Sequence, residues 1–190
     1  MIREKKAVVM GGSAGALQAL SQILPALPAD FSLPILIVVH LPPDKKSVLP
    51  EVLGMKCALP VSEAEDKTPI LPGRVYVAPP DYHLLVESET ELALSNEEPL
   101  LFSRPSIDVL FESAADVFGS SLIGVILSGA NNDGALGLSI VIAEGGLGIV
   151  QDAAASYASA MPDAARAACP SVLTLNPPRI AERLIHESRA

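Results

Sequence analysis

Tryptophan is absent from this 190-residue chain, aromatic residues make up only 4% of it, and there are just two cysteines and three histidines. Cys57 and Cys169 stand far apart, with no CxxC pair and no metal-like spacing. They read as reduced structural thiols of a cytosolic protein, so neither a disulfide framework nor a metal site is expected. Cations are scarce too: 13 Lys and Arg against 22 Asp and Glu leave a formal charge of −9. Nucleic-acid binding runs on clustered Lys and Arg and is not expected here. No apolar block approaches the roughly 20 residues a membrane helix needs, so no membrane insertion is expected either. The opening MIREKK followed by AVVMGGSAGALQAL has the charged-then-apolar order of a secretory leader. Gly11, Gly12, Ser13 and Gly15 interrupt that apolar stretch, however, and no clear cleavage site follows.

What the chain does contain is 49% hydrophobic residues, chiefly Ala, Leu, Ile and Val in short blocks. Strands buried on both faces of a parallel sheet read this way. The pattern predicts strands over 6–10, 34–40, 123–128, 147–151 and 172–175, and helices over 15–24, 106–117, 134–143, 162–168 and 178–187. Such alternation implies right-handed crossovers and an α/β fold with a doubly wound, mostly parallel sheet. Residues 73–95, GRVYVAPPDYHLLVESETELALS, lack a helical pattern. They read as strands with a hairpin turning near 88–90, an antiparallel appendage to the sheet. PALPADFSLP and EEPLLFSRP read as surface connections, and the length suits one domain over 1–190.

In a doubly wound sheet, ligands bind beyond the carboxyl ends of the strands. The first predicted strand runs into Gly11-Gly12-Ser13, the second ends on His40, and IGVILSG leads into ANNDGA with Asp133. Serine, histidine and aspartate thus fall on one sheet edge, which is the set acyl transfer needs. Each has a plainer reading: Ser13 and Asp133 could N-cap the helices behind them, and His40 could bond backbone. Three independent coincidences would be needed to deliver the set. Residues 11–15 also match G-x-S-x-G, a weak signal in a glycine-rich turn, and the chain order differs from the Ser, acid, His order of α/β-hydrolases. A phosphate-binding turn would lack the Lys-Ser/Thr of a Walker loop and would give His40 and Asp133 no role. Asp152, also following a strand, is the alternative orienting acid. His83 reads as structural, Ser106 and Asp108 as caps of the helix they open, and His186 has no assigned role. Arg104 is either an exposed salt-bridge partner or a residue that positions substrate.

Several blocks in order resemble the catalytic domain of the CheB-type chemotaxis protein-glutamate methylesterases. They are VVMGGSAGAL, VVHLPP, PGRVYVAPPDYHLLV, RPSIDVLFESAADVFG, GVILSGANNDGALGL, GGLGIVQD and AMPDAARAA, covering nearly the whole chain. The resemblance implies Ser13 as nucleophile, His40 as general base and acid, and Asp133 as the group orienting the imidazole. It also implies oxyanion donors at the backbone N–H groups of Ala14 and Ala130, and a doubly wound sheet with a hairpin. The implied reaction is hydrolysis of γ-glutamyl methyl esters with release of methanol, needing no metal or organic cofactor, in the cytoplasm. Its implied partners are a methylated chemoreceptor-like substrate and a separate regulator or methyltransferase. Glutamine deamidation, or an idle domain docking on receptors or a methyltransferase, are the alternatives.

Four departures from the family pattern stand out. Ala14 replaces the usual hydroxyl residue, Gly15-Ala16 replaces a glycine pair, and Gly129-Ala130-Asn131 replaces G-M-G. The family's usual N-terminal receiver domain and linker are also missing ahead of the first predicted strand. Control by phosphorylating a domain on the same chain is therefore not expected, unless the sequence is an excised piece.

Overall fold

Apolar strands separated by amphipathic stretches bury both faces only when helices cover the sheet on both sides. The computed structural model, which describes residues 5–40, 47–100 and 102–189, has this architecture. Seven strands pair in parallel: β1 (Ala7–Gly12), β2 (Ile35–Val39), β3 (Val61–Glu63), β4 (Val75–Val77), β7 (Leu122–Ile126), β8 (Leu147–Gln151) and β9 (Leu173–Leu175). Their spatial order is β3-β4-β2-β1-β7-β8-β9. The helices are α1 (Ala16–Ile23), α2 (Leu49–Gly54), α3 (Ile107–Phe118), α4 (Ala135–Ala143), α5 (Ala160–Ala168) and α6 (Pro177–Glu187).

Successive side chains of a strand point to opposite faces, and β1 divides accordingly. Val8 and Met10 pack with Leu20 and Ile23 of α1 and with Ile180 and Leu184 of α6. Ala7 and Val9 pack with Leu110 and Phe111 of α3, Val141 of α4 and Met161 of α5. All six residues of β1 are buried. The chain winds one way from β1 through β2 and the other way from β7 through β8 and β9. The crevice that this reversal opens lies beyond the carboxyl ends of β1 and β7.

The predicted elements recur with their ends moved by a residue or two. β1 runs on two residues to Gly12 because Gly11 and Gly12 stay in register with Val38 and Val39 of β2. Two elements went unanticipated: α2 and β3 are six and three residues long, too short to display a period. β4 corrects the reading of residues 73–95, since it joins the parallel sheet beside β2. Only β5 (His83–Ser88) and β6 (Glu91–Ser95) form the antiparallel appendage, and it turns at 88–91 as expected. That hairpin seats on α3, where Ser113 Oγ accepts from Val86 N–H at 3.1 Å. PALPADFSLP is more than a surface connection, because Leu27, Phe31 and Leu33 are buried in the core. Most of MIREKK and the part of VVHLPP beyond His40 lie outside the described residues.

Candidate active site

Ser13 and His40 each follow one member of the last paired residues of β1 and β2, Gly12 and Val39. His40 N–H donates to Gly12 O at 3.1 Å, so the two residues stand side by side at neighbouring strand tips. Asp133 comes from the loop after β7, on the other side of β1. Its Oδ2 lies 2.8 Å from His40 Nε2, and the carboxylate is fully buried while the imidazole is 13% exposed. The structure therefore brings all three to one place and joins two of them directly. Ser13 Oγ itself makes no hydrogen bond among the described residues.

Neither Ser13 nor Asp133 caps the helix that follows it. α1 and α4 both begin on glycine N-caps in the left-handed region, Gly15 at φ 84° and Gly134 at φ 92°, without a side-chain cap. Glycine takes these conformations at little steric cost, which leaves the preceding side chains unengaged by their own helices. Asp133 instead receives the N-terminus of α3. Ile107 N–H donates to Oδ2 at 2.7 Å, Asp108 N–H to Oδ1 at 3.0 Å and Ser106 Oγ to Oδ1 at 3.0 Å. A helix N-terminus favours a negative charge for this reason. Burial pushes the Asp133 carboxyl up, but the hydrogen bonds from His40, Ile107 and Asp108 outweigh it and hold the group below the usual carboxylate range.

The expected caps of α3 are reassigned. Ser106 occupies the N-cap position, yet its hydroxyl serves Asp133 rather than its own helix. The Asp108 carboxylate reaches α4 and accepts from Gly137 N–H at 2.7 Å. Burial is the main reason its carboxyl is pushed up to about 6. Asp152 caps its own short turn through Ala154 N–H at 3.0 Å, so the carboxylate touching His40 is Asp133. His83 is buried inside the fold and bonds backbone on both sides. His186 lies on α6, away from the crevice.

His40 commits Nε2 to Asp133, and Nδ1 lies 3.5 Å from Asn131 Nδ2. The Asn131 carbonyl oxygen accepts from Asp133 N–H at 3.2 Å, so this side chain braces the loop beside the imidazole. Ala14 N–H and Ala130 N–H donate to no protein acceptor among the described residues. Next to His40 is a cavity of about 260 Å³ walled by Asp81, Pro99, Phe102 and Arg104. Arg104 is engaged through all three guanidinium nitrogens, Nε donating to Asp81 Oδ1 at 3.2 Å. Its Nη2 donates to Asp81 Oδ1 at 2.7 Å, and Nη1 to the carbonyls of Asn96 and Glu97 at 3.0 Å each.

Two buried residues that sequence reasoning passed over shape the serine turn. Ser128 O accepts from Ser13 N–H at 2.9 Å, while Ser128 Oγ donates to Ala14 O at 2.7 Å. Gln151 Oε1 in turn accepts from Ser128 N–H at 2.9 Å. A polar residue closing an apolar strand run, as in ILSG and IVQD, was the only signal available for either.

The family model of the CheB methylesterases matches residues 8–184. The chain belongs to the CheB methylesterase family. The crystal structure of the Thermotoga maritima CheB methylesterase catalytic domain superposes with a TM-score of 0.91 at 33% identity, over 97% of this chain and 99% of that one. The doubly wound sheet with its hairpin is thus the fold of a CheB catalytic domain. A Leptospira interrogans protein provisionally named protein-glutamate methylesterase/protein-glutamine glutaminase is 45% identical over 95% of this chain and 93% of its own length. A Symbiobacterium thermophilum protein-glutamate methylesterase/protein-glutamine glutaminase is 40% identical over 83% of this chain and 44% of its own length.

Proposed function

We propose that this CheB-family chain is one catalytic domain that hydrolyses γ-glutamyl methyl esters on protein side chains, giving glutamate and methanol. Ser13 Oγ attacks the ester carbonyl, and His40 takes its proton. Because Nε2 is bonded to Asp133, the accepting nitrogen is Nδ1, and Asp133 holds the ring and stabilises the imidazolium. Ser13 must rotate to meet it, as apo sites often require. The unpaired N–H groups of Ala14 and Ala130 receive the tetrahedral oxyanion, each such donor being worth about 3 kcal/mol. His40 then protonates the departing methoxide, and water repeats the cycle on the acyl-enzyme. Arg104 shapes the wall of the adjoining cavity and so positions the ester.

The observation that carries this reading is the buried Asp133–His40 pair held at a strand tip beside Ser13. The natural substrate in this reading is a methylated chemoreceptor-like protein, acted on in the cytoplasm, with a regulator or methyltransferase as a further partner. Methanol release from a methylated chemoreceptor cytoplasmic fragment tests it. Ser13→Ala is expected to lower turnover by about 10⁴-fold or more. Wild-type turnover in that variant would end the acyl-enzyme mechanism. The names of the Leptospira and Symbiobacterium relatives favour a second reaction at the same centre, deamidation of glutamine side chains. Ammonia release that disappears together with methanol release in Ser13→Ala would establish it.

A further inference from the structure

β5 opens on His83, which is only 2% exposed and which the proposed chemistry leaves unused. Its two ring nitrogens have partners of fixed polarity. Nδ1 lies 3.1 Å from the backbone N–H of Ser106, a group that can only donate. Nε2 lies 3.2 Å from the carbonyl oxygen of Glu98, a group that can only accept. The ring is therefore the neutral tautomer with its proton on Nε2.

Both partners matter to the crevice. Ser106 is the N-cap of α3 and donates its hydroxyl to Asp133 Oδ1, while the next two N–H groups of the helix donate to the same carboxylate. Hydrogen bonds thus run without a gap from His83 through Ser106 and Asp133 to His40. On the other side, Glu98 belongs to the connection that leads to Pro99 and Phe102 in the cavity wall. Arg104 holds the two preceding carbonyls of that connection, Asn96 and Glu97. One buried imidazole therefore ties the wall of the cavity to the helix end that seats Asp133.

We propose that His83 is a positioning residue that keeps the N-terminus of α3, and through it Asp133 and His40, in register with the substrate wall to which Pro99, Phe102 and Arg104 belong. This rests on the reading of Ser13, His40 and Asp133 given above. The bond to Ser106 is the one that reaches the reacting groups, so it should matter more to turnover than the bond to Glu98.

Two substitutions in the full chain separate the bonds. In His83→Asn the amide oxygen takes the place of Nδ1 and accepts from Ser106, while the donor to Glu98 is lost. In His83→Gln the amide reaches the place of Nε2 and donates to Glu98, leaving the Ser106 N–H unmatched. With the methylated receptor fragment as substrate, His83→Gln is expected to lower kcat about 10- to 100-fold, the size typical of a lost orienting partner, with KM within twofold. His83→Asn should recover most of that loss. Wild-type kcat in His83→Gln, a change confined to KM, or a Gln variant as active as the Asn variant would overturn the proposal. A measurement on the unaltered protein guards against variants that fail to fold: ¹⁵N-edited NMR of the His83 ring at neutral pH should report the Nε2–H neutral tautomer. An Nδ1–H or doubly protonated ring would overturn the proposal equally. Unchanged kcat in His83→Gln beside loss of turnover in Ser13→Ala would remove the positioning role alone, whereas turnover surviving in Ser13→Ala removes the reading beneath it.

Discussion

Two neighbouring aspartates, one bonded to the other's backbone, are pushed in opposite directions, and each makes its own prediction. Asp133 gathers four donors and is held below the ordinary carboxylate range, so it stabilises the fold above about pH 4 and withdraws that support as the pH falls further. Asp133→Asn turns an amide N–H toward those donors and removes the charge that the imidazolium needs. A fall in methanol release of about 10⁴-fold is expected, against a few-fold at most for Asp152→Asn, whose carboxylate serves only its own turn. Asp108 behaves in reverse. With its carboxyl pushed up to about 6, its contribution is complete below about pH 4 and is lost as the pH rises through 6. Asp108→Asn keeps an acceptor for Gly137 N–H but carries no buried charge. Urea unfolding should find it more stable than the parent at pH 8, by about 2 kcal/mol or less, with the advantage gone near pH 4. Ser13, His40 and Asp133 were legible as residue types at strand ends. The donors that surround Asp133 were not, because Ser106, Ile107 and Asp108 come from a helix 25 to 27 positions away.

The turn between β1 and α1 depends on contacts that no local pattern reveals. A side chain at Gly15 would meet Tyr157 and would come within 2.7 Å of Ser128 Oγ, on a backbone already at φ 84°. Gly15→Ala is therefore expected to cost more than about 1 kcal/mol and to lower kcat by displacing the Ser13 turn. Ser128→Ala acts on the same turn from beneath. It strips a donor from Ala14 O and an acceptor from Ala158 N–H, a loss of about 1–3 kcal/mol in thermal unfolding, accompanied by a fall in turnover. The G-x-S-x-G pattern signalled a sharp strand-to-helix turn correctly, and in the fold glycine rather than serine begins the helix. Elements of eight or more residues were readable from their periods. Among the shorter ones, β1, β2, β7, β8, β9 and the two hairpin strands were read from their apolar blocks and turn, whereas α2 and β3 were not, and β4 was drawn into the hairpin because three apolar residues look alike in either kind of sheet.

Across the whole molecule the two layers of helices meet the sheet through aliphatic side chains, and few large residues anchor either layer. Phe111 is the largest of the fully buried residues on α3, packing close to Gly124 of β7 and Gly137 of α4. With no tryptophan and only four phenylalanines, the chain has little to fill the space it would leave. Phe111→Ala is expected to cost about 3–5 kcal/mol in urea unfolding, at the upper end of core truncations. Because the same side chain lies between α3 and α4, whose first turns hold Asp133 and Asp108, the variant should also lose turnover in proportion greater than its loss of folded protein.

The order of apolar blocks and helical periods was enough to specify a doubly wound sheet and to send Ser13, His40 and Asp133 to a common edge, since both follow from strand direction alone. Which side chains would then touch was a matter of the assembled fold. Strand order placed β1 between β2 and β7, and the N-terminus of α3 arrived to stabilise the charge of a buried carboxylate. His83 came to bond that helix through the hairpin. Such contacts join residues remote along the chain, where composition and spacing carry no information about distance.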